Sequence, residues 1–322
     1  MSLRRYARCT TVSGMRRVAL QVLGKRRGLL RPPTGLAMEL ESPYVVFTDL
    51  DGTLLDHDTY SHRDAKAALE ALRARNVPLV FCTSKTRAEV ERIRAELENH
   101  HPFIVENGGA VYIPQGYFPF PIPQAKAIGG YLVIEIGVPH ARVMAALRRA
   151  ARASGCRVAS FHNASVRDVA ARCRLTTETA RLAKQREYDE PFEILTRSPA
   201  AISGLLEQIE AQGLSWVRGG RFYHVRGRHN KGQAAEVLVE LFRRSRPQTI
   251  TAGLGDSPND ISLPQVVDVP IIIPLRGARG LRSLSLPRAG LRVAEDFGPR
   301  GWNRAVLQLL DSAESAARVR DC

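Results

Sequence analysis

The feature that most constrains the fold is the alternation of short apolar runs with segments of helical spacing. The run YVVFT at 44–48 precedes the amphipathic stretch 61–76, and VPLVFCTSK at 77–85 precedes TRAEVERIRAELE. Uninterrupted apolar runs of this length are typical of strands buried on both faces, and their alternation with helices predicts a parallel sheet covered by helices. The same alternation resumes over 230–274. We therefore predict an α/β chain built around a parallel sheet.

The middle of the chain has a different character. A proline-rich passage, PQGYFPFPIPQ, begins the change near Gln115, and strands and helices then follow without the parallel rhythm. One of these helices is marked by the capping-box pattern SVRD, which starts at Ser165. We therefore predict an α+β domain, residues 115–219, inserted into a core formed by residues 41–114 and 220–322.

The positive charge of the chain is concentrated at its start. The formal net charge is +15, and residues 1–37 contain nine Lys and Arg but no Asp or Glu. This segment could be an organelle transit peptide, a disordered nucleic-acid-binding arm, or a translated region upstream of a start at Met38. We favour the last interpretation and predict that residues 1–40 do not fold.

Composition argues against several other classes of protein. Hydrophobic residues make up 44% and charged residues 25%, and no run is long enough to cross a bilayer, so we expect no membrane span. The five cysteines are odd in number and form no CxxC pair, which favours a reducing cytoplasm. Outside the leader, basic residues show no aromatic-interleaved patch, so we expect no nucleic-acid partner.

Two carboxylates follow the first predicted strand. Asp49 and Asp51 flank Leu50, so both leave the strand on the same side, and Gly52 permits a tight turn after them. The second predicted strand ends in Thr83 and Ser84, whose hydroxyls and backbone N–H groups can hold phosphate oxygens. Ligands of open α/β sheets bind at this edge, beyond the carboxyl ends of the strands.

Two further groups of charged residues that could contribute to a site at this edge lie downstream. Lys231 opens a predicted helix, where its ammonium adds to the positive end of the helix dipole. Asp256 and Asp260 follow the strand TITAG in the motif GDSPND. Four carboxylates at one sheet edge would repel each other unless a cation gathered them, and hard oxygen ligands suit Mg²⁺.

The order and content of these elements resemble a known superfamily. DLDGT, Thr83, Lys231 and GDSPND are similar to the four motifs of the haloacid dehalogenase (HAD) superfamily, in the branch with an α/β cap between motifs two and three. Further blocks resemble the mannosyl-3-phosphoglycerate phosphatase family over roughly 43–274: TSKTRAEV, ENGGAVYIP, QREYDEPF, GGRFYHVRG and NKG. Asn230 replaces an acidic residue that is frequent in that family, but Asn also caps helices well.

The resemblance implies a Rossmann-like HAD core and a set of roles. Asp49 would be the nucleophile, Asp51 the general acid and base, and Thr83 and Lys231 would hold the phosphate. Mg²⁺ would be bound by Asp49, by the backbone carbonyl of Asp51 and by Asp256, with Asp260 assisting.

The resemblance also implies a substrate and the residues that bind it. The expected reaction is Mg²⁺-dependent hydrolysis of mannosyl-3-phosphoglycerate, with a related sugar phosphate such as glucosyl-3-phosphoglycerate as the alternative. The expected partner is thus a small phosphorylated glycoside, and the protein would be a monomer or homodimer. Candidates for substrate binding lie at the core rim and in the cap: Ser84, Glu106, Asn107, Gly108, Gln185, Arg186 and Glu190. A less favoured reading is a non-enzymatic protein that binds nucleic acid through the basic leader.

Overall fold

The computed structural model describes residues 43–218, 222–257, 260–274 and 290–320, with side chains described as far as residue 312. The predicted unfolded leader, residues 1–40, lies outside the described part of the chain. Among the described helices, none is long and apolar enough to cross a lipid bilayer.

The described residues form thirteen strands, most of them three to six residues long. They are β1 (Tyr44–Thr48), β2 (Leu79–Cys82), β3 (Phe103–Val105), β4 (Ala110–Pro114), β5 (Lys126–Ile128), β6 (Tyr131–Glu135), β7 (Val158–Ser160), β8 (Asp189–Ile194), β9 (Ser215–Arg218), β10 (Tyr223–Arg226), β11 (Ile250–Gly255), β12 (Val269–Ile272) and β13 (Arg292–Val293).

Eight α-helices and one short 3₁₀ turn, Arg63–Ala65, accompany these strands in the described part of the chain. The helices are α1 (Lys66–Ala74), α2 (Arg87–Glu96), α3 (His140–Ser154), α4 (Val166–Cys173), α5 (Thr177–Ala183), α6 (Pro199–Ala211), α7 (Lys231–Ser245) and α8 (Gly298–Arg320). The predicted capping box is present at the start of α4, where Ser165 and Asp168 exchange hydrogen bonds with each other's backbone N–H groups.

The larger sheet has the order β13-β12-β11-β1-β2-β3-β4-β6-β5 within the described residues. Its first six strands are mutually parallel, and β4, β6 and β5 add an antiparallel edge. Strand β1 lies near the middle, between β2 and β11. The carboxyl ends of these three strands therefore meet at one edge of the sheet, as the sequence predicts.

Helices cover both faces of this sheet because successive side chains of a strand point to opposite sides. Val45 and Phe47 pack in one apolar cluster with α7, while Val46 packs in the other with α1 and α8. Trp302 of α8 is fully buried, and its indole Nε1–H donates to Thr48 Oγ1 at 2.9 Å. This hydrogen bond ties the end of β1 to α8.

The smaller sheet is antiparallel, with the order β7-β8-β10-β9. Helices α3 and α6 cover one of its faces, where Leu147 and Leu205 pack against Phe192 and Val225 in a separate apolar cluster. The chain therefore forms a second hydrophobic core, whose residues lie in sequence between β6 and β11 of the large sheet.

The strand pairing differs from the predicted boundaries of the inserted domain. The predicted inserted domain spans residues 115–219. In the structure, however, β5 and β6 (126–135) pair within the large sheet, and β10 (223–226) pairs within the small one. The proline-rich passage is therefore an excursion that returns to the large sheet. Its Phe118 and Ile122 are buried against the same apolar cluster as α7, so prolines there mark a turn within the core.

Candidate active site

The first catalytic motif lies where β1 ends. The backbone N–H of Asp49 still donates to Leu254 of the neighbouring strand, at 2.9 Å, so the position of this residue is set by the sheet. Gly52 then turns the chain with φ +81°, and a Cβ at that position would lie 2.5 Å from Asp256 Oδ2. Glycine is required here both by its backbone angle and by the close approach of the second acidic motif.

Lys231 joins two of the predicted carboxylates. Its Nζ lies 2.6 Å from Asp49 Oδ1 and 2.6 Å from Asp260 Oδ1, and all three side chains are almost completely buried. Burial disfavours the ammonium, but Asp260 and Asp49 outweigh this effect and raise the pKa of Lys231 above its ordinary value. Asn230 caps the helix that begins at Lys231, as its sequence position predicts.

Asp256 completes an acidic cluster with Asp49 and Asp260. Carboxylate oxygens of the three residues lie within 4.8 Å of one another, and all three side chains are buried. Burial, and then repulsion from Asp49 and Asp260, raises the pKa of Asp256 to about 9. Burial likewise raises the pKa of Asp49 to about 7, although Lys231 opposes the shift.

This donor set fits a divalent cation of the Mg²⁺ type. Three buried carboxyl groups face a single ammonium, and the raised pKa values of Asp49 and Asp256 indicate that their ionised forms lack a further counter-charge. Carboxylate oxygens are the hard ligands that Mg²⁺ prefers. Asp260 has the least free capacity, because its Oδ2 accepts from the N–H groups of Asp256 and Ser257 and from the Ser257 hydroxyl. Asp49 and Asp256 therefore offer the more available oxygens.

Asp51 is held by a residue that the sequence analysis did not select. Lys85 Nζ lies 2.8 Å from Asp51 Oδ1 and 4.0 Å from Glu89 Oε1, and the lysine side chain is 9% exposed. Burial works against the charge of Lys85, but Asp51 and Glu89 raise its pKa. The same ammonium lies 4.9 Å from the ring centroid of Tyr60. A buried cation thus neutralises and orients the predicted general acid.

Thr83 occupies a less open position than predicted. It is fully buried, its hydroxyl accepts from the backbone N–H of Lys85 at 3.2 Å, and it is not among the residues that line the cavity above the acidic cluster. Ser84, in contrast, does line that cavity. A phosphate-binding role for Thr83 stays a prediction.

A cavity of ≈ 230 Å³ opens above these groups. Its floor includes Asp49, Asp51, Lys85, Lys231 and Asp256. The segment that carries the small sheet forms another wall of the cavity, lined by Phe161, Cys173, Leu175, Ala183, Pro191, Phe222 and His224. The cavity is therefore charged at the large sheet and mostly apolar at the small one.

Glu106 lies outside this cavity and instead binds backbone. Its carboxyl group is fully buried and accepts hydrogen bonds from the N–H groups of three consecutive residues, Glu187, Tyr188 and Asp189, each at 2.8 Å. Burial raises the pKa of Glu106, while Arg186, 3.6 Å away, opposes the shift. Glu106 thus anchors the start of β8 to the core, and a direct contact with substrate is not supported.

Arg186 and Asn107 share the same buried network. Arg186 Nη2 forms an ion pair with Asp189 Oδ1 and donates to the Ser84 carbonyl at 3.1 Å, while Asn107 Nδ2 donates to Asp189 Oδ2 at 2.8 Å. Arg186 does line the cavity, but its charge faces Asp189 and Glu106. The predicted substrate-binding role of Arg186 therefore stays a prediction.

The remaining predicted substrate ligands also lie outside the cavity lining. Gln185 is exposed at the end of α5. Glu190 is fully buried, where its carboxylate accepts from His140 Nε2 at 2.7 Å and from the backbone N–H of His162 at 2.6 Å. Gly108 has φ +94°, and a Cβ there would collide with the backbone carbonyl of Asn230. A substrate contact of Gln185, Glu190 or Gly108 stays a prediction.

Comparison with known proteins agrees with this geometry. Residues 46–120 match the family model of the haloacid dehalogenase-like hydrolases. A glucosyl-3-phosphoglycerate/mannosyl-3-phosphoglycerate phosphatase of Methanococcoides burtonii is 40% identical over 267 residues, which cover 83% of this chain and 97% of the relative. The chain belongs to this family of haloacid dehalogenase-like phosphatases. A mannosyl-3-phosphoglycerate phosphatase of Pyrococcus furiosus is 36% identical over 229 residues, 71% of this chain and 90% of the relative.

Solved structures with the same fold are more distant in sequence. The sucrose-phosphatase of Synechocystis, solved with sucrose and phosphate, has a TM-score of 0.54 at 15% identity and covers 83% of this chain and 97% of its own. A haloacid dehalogenase-like hydrolase of Bacteroides thetaiotaomicron has a TM-score of 0.58 at 15% identity, with coverages of 83% and 99%. The predicted superfamily, fold class and enzyme class are confirmed.

Three residues that hold a neighbouring side chain by an ion pair or a hydrogen bond, Lys85, Asp189 and His224, were not among the predicted site residues. Lys85 directly follows Thr83 and Ser84, the predicted phosphate-binding residues, and this position is the signal that could have found it. Asp189 and His224, which contact each other at 3.1 Å, carry no such signal, because they lie on strands separated in sequence.

Proposed function

We propose that the chain hydrolyses mannosyl-3-phosphoglycerate to mannosylglycerate and phosphate, with Asp49 as the nucleophile. The observation that carries the proposal is the buried group of Asp49, Lys231 and Asp256, which line one cavity together with residues of the small-sheet segment, while Asp260 pairs with Lys231 beneath them. The names of the relatives from Methanococcoides and Pyrococcus support the substrate class.

In the first step a carboxylate oxygen of Asp49 attacks phosphorus, and the bond from phosphorus to the glycerate oxygen breaks. The product on the protein is an aspartyl phosphate. Lys231 lies 2.6 Å from Asp49, so its ammonium can pair with a phosphate oxygen next to the nucleophile and stabilise charge that develops there. Ser84 lines the same space and can donate to a second oxygen.

Asp51 serves both halves of the reaction. It gives a proton to the departing glycerate oxygen and then, as a carboxylate, takes a proton from the water that attacks the aspartyl phosphate. Free phosphate and the regenerated Asp49 carboxylate result. The Lys85 ammonium, 2.8 Å from Asp51, holds this carboxyl group toward the cavity in both steps.

Mg²⁺ is the cofactor that the donor set supports. Asp49 and Asp256, together with the backbone carbonyl of Asp51, would hold the ion, and Asp260 would keep Lys231 and the 256–257 backbone in place. When bound, the ion offsets the repulsion between the carboxylates and the incoming phosphate.

The segment between β6 and α7, residues 136–230, is the proposed specificity domain. It contributes the apolar wall of the cavity, and the Glu106 and Asp189 networks support its attachment to the core. Two buried cysteines of the described residues, Cys82 and Cys156, are free thiols, which supports a reducing, cytoplasmic location.

A panel of phosphate esters tests the proposed substrate. Purified protein with Mg²⁺ is assayed for kcat/KM on mannosyl-3-phosphoglycerate, 3-phosphoglycerate, mannose 6-phosphate and p-nitrophenyl phosphate. The glycosylated phosphoglycerate should give the highest value. Faster turnover of mannose 6-phosphate would refute the proposed substrate while leaving the phosphatase class intact.

Glucosyl-3-phosphoglycerate is a second candidate substrate. The relative from Methanococcoides burtonii carries both sugars in its name, and it is 40% identical to this chain. Glucose and mannose differ only in the configuration of one hydroxyl, which is a small difference for a mostly apolar wall to detect. Adding glucosyl-3-phosphoglycerate to the panel compares the two epimers directly.

A further inference from the structure

The wall of the cavity that comes from the small-sheet segment contains a group suited to bind a sugar hydroxyl. Phe161 and Phe222 meet there edge to face, with ring centroids 5.0 Å apart, and Pro191 extends the apolar surface. Among these side chains lies the imidazole of His224, on β10. No role in the reaction steps above falls to this histidine.

The orientation of the His224 ring is determined by Asp189. Nδ1 of His224 lies 3.1 Å from Asp189 Oδ2, and a carboxylate can only accept, so Nδ1 carries the proton. Asp189 is itself held by Asn107 Nδ2 at 2.8 Å and by the ion pair with Arg186, and it is fully buried. The ring is therefore oriented by a buried carboxylate that also binds Asn107 and Arg186.

The other ring nitrogen is left free for a ligand. Nε2 of His224 has no hydrogen-bond partner among the described residues, and the His224 side chain, which is 11% exposed, lines the cavity. Burial lowers the pKa of His224 to about 3, and Arg186 and Arg226 act in the same direction. The ring is neutral near pH 7, and Nε2 is a hydrogen-bond acceptor in a mostly apolar wall.

We propose that His224 Nε2 accepts a hydrogen bond from a hydroxyl of the substrate's sugar ring, and that Asp189 positions it to do so. This inference rests on the proposed function, because it assigns the wall of the small sheet to the glycosyl part of a glycosyl phosphoglycerate. Ring faces of Phe161 and Phe222 are suited to the C–H faces of a pyranose, whereas its hydroxyls need a polar partner.

The test compares a substrate that carries the sugar with one that lacks it. Wild type, His224→Phe and His224→Gln are assayed with Mg²⁺ on mannosyl-3-phosphoglycerate and on 3-phosphoglycerate. For His224→Phe we expect kcat/KM to fall about tenfold on the glycosylated substrate, mainly through KM, and to stay within about twofold on the other. His224→Gln, whose amide oxygen can accept a hydrogen bond, should recover part of the loss.

His140→Gln is the matched control. His140 also pairs with a buried carboxylate of the small domain, Glu190, at 2.7 Å, but it does not line the cavity. This variant should leave the ratio of the two kcat/KM values unchanged. If both His224 variants lost activity equally on both substrates, or changed neither, the assignment would be overturned.

The proposed function and this inference fail in different ways. If wild type preferred another sugar phosphate, the proposed substrate would be wrong, and the same comparison with that ester and a sugar-free ester would still test His224. If wild type made no distinction between esters with and without a sugar, both the specificity and the assignment of His224 would be overturned.

Discussion

Replacing Glu106 by Gln tests whether this residue anchors the inserted domain or binds substrate. The carboxyl group accepts three backbone hydrogen bonds, one at Oε1 and two at Oε2, and it is fully buried. Gln has nearly the same shape but only one acceptor oxygen. If that oxygen keeps the two donors at Oε2, the new NH₂ group must face the N–H of Glu187.

The size of the effect follows from this mismatch. Two donors that face each other are both left without an acceptor, and each unsatisfied donor costs about 1–3 kcal/mol. We therefore expect the opening of this segment to become easier by about 3 kcal/mol. That value corresponds to roughly a hundredfold loss of protection for the amides of Glu187, Tyr188 and Asp189.

Hydrogen exchange followed by mass spectrometry measures this protection on peptides that contain residues 187–189. Glu178→Gln is the control, because its side chain is 61% exposed and pairs with Arg92 at the surface. Such a pair contributes at most about 1 kcal/mol, so protection should change little. Wild-type protection in Glu106→Gln, together with a raised KM, would refute the anchoring role and restore Glu106 as a substrate ligand.

Four further outcomes follow from the site. Asp49→Asn should lower kcat by roughly a thousandfold or more because the nucleophile is lost; turnover near that of wild type in a steady-state assay would contradict this. Asp256→Asn should weaken Mg²⁺ binding in a calorimetric titration, and unchanged affinity would remove Asp256 from the ligand set. Lys85→Met should lower kcat about tenfold to a hundredfold, because Asp51 loses the partner that orients it. The control is Lys66→Met, at an exposed lysine, which should leave kcat unchanged. Equal kcat values in the two variants would refute the orienting role of Lys85. In thermal unfolding, Mg²⁺ should raise the Tm more at about pH 8 than at about pH 6. Equal rises in Tm at the two pH values would argue against Asp49 as a ligand of the ion.

The sign of the pH effect comes from the raised pKa of Asp49, about 7. The folded protein without metal retains a proton that the unfolded chain has already released, so this group contributes stability at low pH that is lost as pH rises through 7. Mg²⁺ binds the ionised carboxylate, so the gain in stability on adding the ion grows in the same direction.

Several parts of the site could be placed from the linear sequence, because parallel strands put their carboxyl ends at one edge. Asp49 follows β1 and Asp256 follows β11, and these strands are adjacent. Lys231 begins the helix before β11 and therefore lies at the same edge, where its Nζ pairs with Asp49 and Asp260. The acidic cluster needed only the strand order and the direction of each strand.

The partners of the buried charged groups were decided by tertiary structure alone. Glu106, Arg186 and Glu190 have residue types suited to a polar ligand, but their charges are satisfied by protein groups far away in sequence or by backbone. Strand membership of β5 and β6 is a similar case, since antiparallel strands can return to a sheet after any loop that reaches it. A sequence states which groups need a partner, whereas the folded chain decides which partner comes within hydrogen-bonding distance.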